Sequence, residues 1–187
     1  NPIIFRGNPE LGSPAWGIIR FRNVRDTSYF QNVIIEDASH GAHPVYDCAA
    51  LSAFNSVLSM DHLRIENVHG NPVAGRYSDL RLTNSYFHSS ITGDLINVKY
   101  GKGYIENVDF TGNDQPDTDA IDYDDVVNGI IRNCRIHDFH GFNSDAIDIG
   151  EKAQNILIDQ VFVYNVTDKG ISVGQQSTAN IQNSIFS

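Results

Sequence analysis

Asp119-Ala-Ile-Asp-Tyr123 and Asp145-Ala-Ile-Asp-Ile149 are near copies of each other, and the same pattern stands at Asp94-Leu-Ile-Asn-Val98 and Lys169-Gly-Ile-Ser-Val173. The central isoleucines are Ile96, Ile121, Ile147 and Ile171, so the steps are 25, 26 and 24 residues. A second motif runs between the copies: an apolar residue, a spacer, then an amide. It reads Leu82-Thr-Asn84, Ile105-Glu-Asn107, Ile131-Arg-Asn133, Ile158-Asp-Gln160 and Ile181-Gln-Asn183. Its amides are 23, 26, 27 and 23 residues apart. A period near 25 with two strand-like segments per period is the mark of a solenoid.

Working outward, the amide motif extends to Phe30-Gln-Asn32 and Met60-Asp-His62, and the first motif to Ile19-Arg-Phe21, Leu51 and Val73. Apolar and polar residues alternate over four to six positions, with Gly, Asn, Asp and Ser between the runs, which predicts short strands. The chain is therefore read as all-β, a solenoid of about seven coils with a period of about 25 residues. Residues 1–187 form one domain, with a loop inserted at Ser39–Asp47. Ile96, Ile121, Ile147 and Ile171 form one inward ladder; Val98, Tyr123, Ile149 and Val173 form another. The recurrent amide suits a corner, because Asn tolerates left-handed backbone angles, and stacked Asn side chains bond along the ladder.

The bulk composition narrows the function. With 13 basic and 23 acidic residues the net charge is −10, a poor surface for nucleic acid and a good source of oxygen ligands for hard cations. No apolar run reaches the roughly 20 residues of a membrane helix. Cys48 and Cys134 fall several coils apart, roughly 15 Å at strand spacing, too far for a disulfide. Two free thiols are expected. The opening Asn1-Pro2 and the absence of capping elements suggest a module of a longer extracellular or cell-surface protein, or end-to-end packing with further coils.

These repeats resemble the right-handed parallel β-helix superfamily, the architecture of pectate lyases, polygalacturonases, phage tailspikes and many bacterial surface proteins. The match runs well over Val73 to Ser187 and loosely over Ile18 to Val68. The opening Pro2-Ile-Ile-Phe5 and Pro14-Ala-Trp-Gly-Ile18 are similar to the first coils of bacterial cell-surface β-helix modules. The resemblance implies a right-handed helix. It leaves lyase, hydrolase, adhesin and spacer open.

The repeat also serves as a ruler for the outer face. With Ile121 and Tyr123 inward, Asp122 points outward and stacks under Asp148. Asp119 and Asp145 stack at the preceding turn, and Asp124, Asp125 and Glu151 follow. Like charges on neighbouring strands repel. Calcium would resolve the conflict, with Asp119, Asp122, Asp124, Asp145, Asp148 and Glu151 as candidate ligands. On this reading Asp119, Asp122, Asp145 and Asp148 do not have to be acidic for the sake of the fold. Asn97, Lys99, Tyr100 and Asp122, with Tyr123 beside them, are candidate polysaccharide contacts. The resemblance to calcium-dependent polysaccharide lyases, one family of which carries Asp-Asp-x-x-Asp near its calcium where this chain has only Asp119-x-x-Asp122 and Asp145-x-x-Asp148, would make Lys169 or Lys99 the proton-abstracting base. A lysine base needs a lowered pKa, and nearby carboxylates push the other way. The expected function is thus an extracellular calcium-binding module that binds polysaccharide. The alternatives are a lyase acting on an acidic glycan and a structural spacer or adhesin stalk. His40, His43 and His69 near the inserted loop lack the tight spacing of a transition-metal site.

Overall fold

The computed structural model describes residues 1–12, 15–88 and 92–187. Pro14 of the opening motif lies outside the described residues. The described chain holds no α-helix, only strands and one short 3₁₀ turn at Pro9–Leu11.

Strands stack in two sheets, and every strand pairing among the described residues is parallel. The seven-stranded sheet is built in chain order from Ile19–Arg22, Ala49–Phe54, Asn71–Arg76, Ile96–Lys99, Ile121–Asp124, Ile147–Ile149 and Ile171–Val173. The expected ladder is its inner row: Ile19, Leu51, Val73, Ile96, Ile121, Ile147 and Ile171 stand in register. The faint copies at Leu51 and Val73 therefore belong to the repeat.

The eleven-stranded sheet is made by long strands that bend. Ser28–Glu36, Val57–Glu66, Asp79–His88 and Lys102–Thr111 each run through one left-handed residue; later coils split there into two shorter strands. The bend residues are Asn32, His62, Asn84, Asn107, Asn133, Gln160 and Asn183, all with φ between 50° and 56°, the amide motif of every coil. Their side chains bond along the stack as expected. Asn107 donates to Asn84 Oδ1 at 2.6 Å, Asn133 to Asn107 Oδ1 at 3.4 Å, and Asn84 to Asp61 Oδ1 at 2.7 Å.

Between the sheets lies one continuous core. Ile35, Ile65, Phe87, Phe110 and Ile136 form a buried row in register, and Phe87 packs on Phe110 with ring centroids 5.5 Å apart. Tyr123 is the largest wholly buried side chain. It has room because Gly103, on the facing sheet, carries no side chain; a Cβ there would overlap the Tyr123 hydroxyl. That hydroxyl has no hydrogen-bond partner. Both cysteines are free, Cys48 half-buried and Cys134 buried.

This packing gives a paired expectation. Gly103→Ala overpacks the core at a fixed ring and costs about 3 kcal/mol. Tyr123→Phe removes a buried donor without a partner and leaves stability unchanged or raises it by about 1 kcal/mol. Urea unfolding of the two variants checks both.

Candidate functional site

Two outward rows of the seven-stranded sheet meet at the candidate site. One runs Arg20, Ser52, Ala74, Asn97, Asp122, Asp148, Ser172. The next runs Arg22, Phe54, Arg76, Lys99, Asp124. The stacking of Asp122 under Asp148 is as the repeat predicts. The face is also polarised along the stack, with arginines on its first coils and carboxylates on its later ones.

The turn before each strand carries Asp94, Asp119 and Asp145, and here the structure corrects the expectation that no acid is needed. Asp94 Oδ1 accepts the backbone N–H of Asp119 at 3.3 Å. Asp119 Oδ1 accepts that of Asp145 at 2.6 Å, and Asp145 Oδ1 that of Lys169 at 3.2 Å. Each carboxylate thus holds the amide of the next coil, an acceptor the stack would otherwise lack. Asp94 occupies the same motif position as Asp119 and Asp145. That position was visible in the sequence, although Asp94 was not among the candidate ligands.

The remaining site residues form a tight polar chain. Asn97, only 5% exposed, donates from Nδ2 to Asp94 Oδ2 and to Asp122 Oδ2, both at 2.6 Å. Its Oδ1 has no partner. Lys99 bonds to Asp124 and lies 3.7 Å from Asp122 Oδ2. Asp124 Oδ1 accepts the N–H of Glu151 at 3.0 Å and sits where a side chain on residue 150 would go, so Gly150 is required there. Glu151 is exposed and meets Asp124 through its backbone. Lys169 bonds to Asp145 at 2.9 Å and to Asp168 at 3.0 Å.

Crowding sets the protonation of this row. Burial, reinforced by neighbouring carboxylates, pushes Asp119 up to about 8. Asp122, 8% exposed, is likewise pushed up to about 8, chiefly by burial and then by Asp94. Burial also raises Asp94 and Asp148. The lysines move away from base chemistry. Burial opposes the Lys99 charge, but the Asp124 hydrogen bond and the Asp122 and Asp124 charges outweigh it and raise its pKa. The hydrogen bonds that Lys169 donates to Asp145 and Asp168 raise its own.

Beside the acids runs an aromatic string that the repeat did not announce. Tyr77 and Tyr100 occupy the corner after the strand, where other coils place Asn23, Asn55, Asp125, Lys152 and Gln176, all with left-handed φ. The two tyrosines share that conformation, at φ 53° and 61°. They remain 54% and 49% exposed and stack with centroids 4.9 Å apart and planes 15° apart. Phe54 and Tyr46 continue the string edge-on, and Arg22 lies 4.2 Å over Tyr46. Tyr100 is thus placed as a surface ring beside Lys99. Tyr123 is wholly buried and cannot touch a sugar, because its strand alternation turns it into the core.

Among the described residues, no group of three or more His, Cys, Asp or Glu side chains is arranged to hold a metal ion. In donor type the row suits a hard cation, since it offers oxygen alone, but several of those oxygens already hold backbone amides or lysines. In the inserted loop, His40 Nδ1 meets the His69 carbonyl at 2.7 Å and His43 stacks on Tyr46.

No protein-family model matches the chain, and no curated protein matches it in sequence. Among solved structures, it is similar to a candidate glycosyl hydrolase from Parabacteroides merdae at 15% identity and TM-score 0.35, over 91% of this chain and 85% of that one. It is also similar to HetL, a pentapeptide repeat protein involved in regulating heterocyst differentiation in Nostoc, at 8% identity and TM-score 0.23, over 95% and 93%. Likenesses this remote bear on neither family nor activity.

The raised carboxyl groups give a signed expectation. Asp119 and Asp122 keep their protons to about pH 8 when folded and release them near pH 4 when unfolded. The folded state binds more protons between those values, so their contribution to stability falls as pH rises from about 4 to about 8. Asp122→Asn keeps the shape and removes the ionisation. Its melting temperature should exceed the wild type's by about 3 °C or more at pH 9 and match it near pH 4. Calorimetry across that range measures the difference.

Proposed function

We propose that this β-solenoid binds polysaccharide along the corner formed by Tyr77, Tyr100, Lys99, Asn97 and Asp122, in an extracellular or cell-surface setting. The observation that carries the reading is the tyrosine pair. A bulky residue in the left-handed region costs about 1–2 kcal/mol, and three of the other coils turn the same corner with Asn or Asp, which suit it better. Exposed rings kept at such a cost, next to a row of hydrogen-bonding groups, fit the flat apolar faces and hydroxyls of sugars.

Calcium belongs to the same proposal. It would neutralise Asp119, Asp122 and Asp148, whose pKa values are raised by burial first and by neighbouring carboxylates second, with Asp124, Asp145 and Glu151 at the margin. Lyase chemistry finds less support. Both candidate bases, Lys99 and Lys169, are held protonated by carboxylates, the reverse of what proton abstraction needs.

Affinity electrophoresis in gels carrying pectin, alginate or a glycosaminoglycan tests the binding. The wild type should be retarded by at least one. A Tyr77→Asn, Tyr100→Asn double variant, which keeps residues fit for the corner, should lose about tenfold in affinity without losing stability. No retardation in any gel, or equal retardation of the variant, removes the proposal. Calcium is tested separately by melting in calcium and in EDTA: an upward shift in calcium, larger at pH 8 than at pH 5, is expected. Identical curves remove the metal.

A further inference from the structure

The eleven-stranded sheet carries a second feature on its outer face, away from the acid row. There Tyr29, Ser59, Arg81 and Tyr104 stand in register on four successive strands. They line one cavity of about 550 Å³, together with Asp79 and Lys102. Arg81 rests over Tyr104, its guanidinium carbon 4.0 Å from the ring centroid. Tyr104 is anchored in turn by donating its hydroxyl to Glu106. Tyr29, two coils away, is 69% exposed.

The spacing defines the slot. Two strand steps separate Tyr29 from Arg81, roughly 10 Å at the usual spacing. Ser59, between them, is too small to fill the gap. One sugar ring fits over Ser59 in that gap, against Tyr29. The charge defines the occupant. In a chain of net charge −10, Arg81 has no carboxylate within ion-pair distance among the described residues. Lys102, beside it, reaches Asp79 only at 3.7 Å. A guanidinium held rigid on an aromatic ring with its N–H groups free is suited to a carboxylate or a sulfate.

We propose that this slot binds a pyranose bearing a carboxylate or sulfate, its ring over Ser59 against Tyr29 and its anion paired with the Arg81 guanidinium. The site is distinct from the Tyr77–Tyr100 corner and does not depend on it. Titration calorimetry with glucuronate, glucose 6-sulfate and glucose tests it on the whole chain. At least one of the two anionic sugars should bind at least about tenfold tighter than glucose. Which one binds identifies the preferred anion. Arg81→Ala should abolish that preference, Ser59→Trp should block the slot, and Tyr77→Asn with Tyr100→Asn should leave it intact. All substituted residues sit on the outer surface, and melting curves confirm that each variant is folded. The proposal is overturned if neither anion binds the wild type, if glucose binds equally well, or if folded Arg81→Ala and Ser59→Trp proteins both bind like the wild type.

Discussion

The structure depends on a backbone constraint. Each coil must change direction several times without breaking the parallel hydrogen-bond ladder, and it does so at single residues in the left-handed region. Among the described residues, twenty-two non-glycine residues take that conformation, and twelve of them are Asn. One left-handed residue bends a strand without adding a loop. Because the corner falls at the same place in successive coils, the register cannot slip, and the inward rows stay inward. The Asn side chains then tie the corners to one another along the axis. Core, faces and grooves all inherit their alignment from these corners.

That constraint explains what could be read in the sequence. A corner that tolerates few residue types leaves a repeated letter, so the amide motif survives even where the strand motif fades, as in the coil of Val73, whose bend is Asn84. Alternation then assigned Ile121 inward and Asp122 outward, and the register of Asp122 with Asp148 followed. The bonding of individual oxygens did not follow. Spacing says which residues are neighbours, not which lone pair meets which N–H. The coil-to-coil bonds of Asp94, Asp119 and Asp145 were therefore invisible, and Asp119 and Asp145 looked dispensable to the fold. Tyr77 and Arg81 were missed for another reason. Each breaks the pattern of its row, Tyr77 at a corner usually held by small polar residues and Arg81 between a serine and a tyrosine, and a search for repetition passes over exceptions.

The acid row joins fold and site. Its carboxylates are placed by the stack, yet the stack does not supply enough positive charge for them. Lys99 and Lys169 neutralise the edges, at Asp124 and Asp145. The interior of the row, Asp119 and Asp122, settles the deficit by holding protons. A cation, a proton or a bound ligand's donors can each meet the same need, so these states compete for the same oxygens.

Asn97 shows how that competition can be read. Its amide points both N–H groups at carboxylate oxygens, Asp94 Oδ2 and Asp122 Oδ2 at 2.6 Å each, and strands its own oxygen in a buried site. The reverse orientation would set Oδ1 against those same two oxygens, which is tolerable only if they carry protons or share a cation. The amide as it stands suits a row in which Asp94 Oδ2 and Asp122 Oδ2 both accept, whether or not the other oxygen of either carboxyl carries a proton. Placing protons or calcium on those two oxygens removes the reason for that orientation, and burial of the stranded Oδ1 already works against it. The amide is held by two opposed demands, and the state of Asp94 Oδ2 and Asp122 Oδ2 decides between them. Asn97 stands on the strand that leads, through Val98 and Lys99, to the Tyr100 corner, so the acid row and the aromatic string share one segment of backbone.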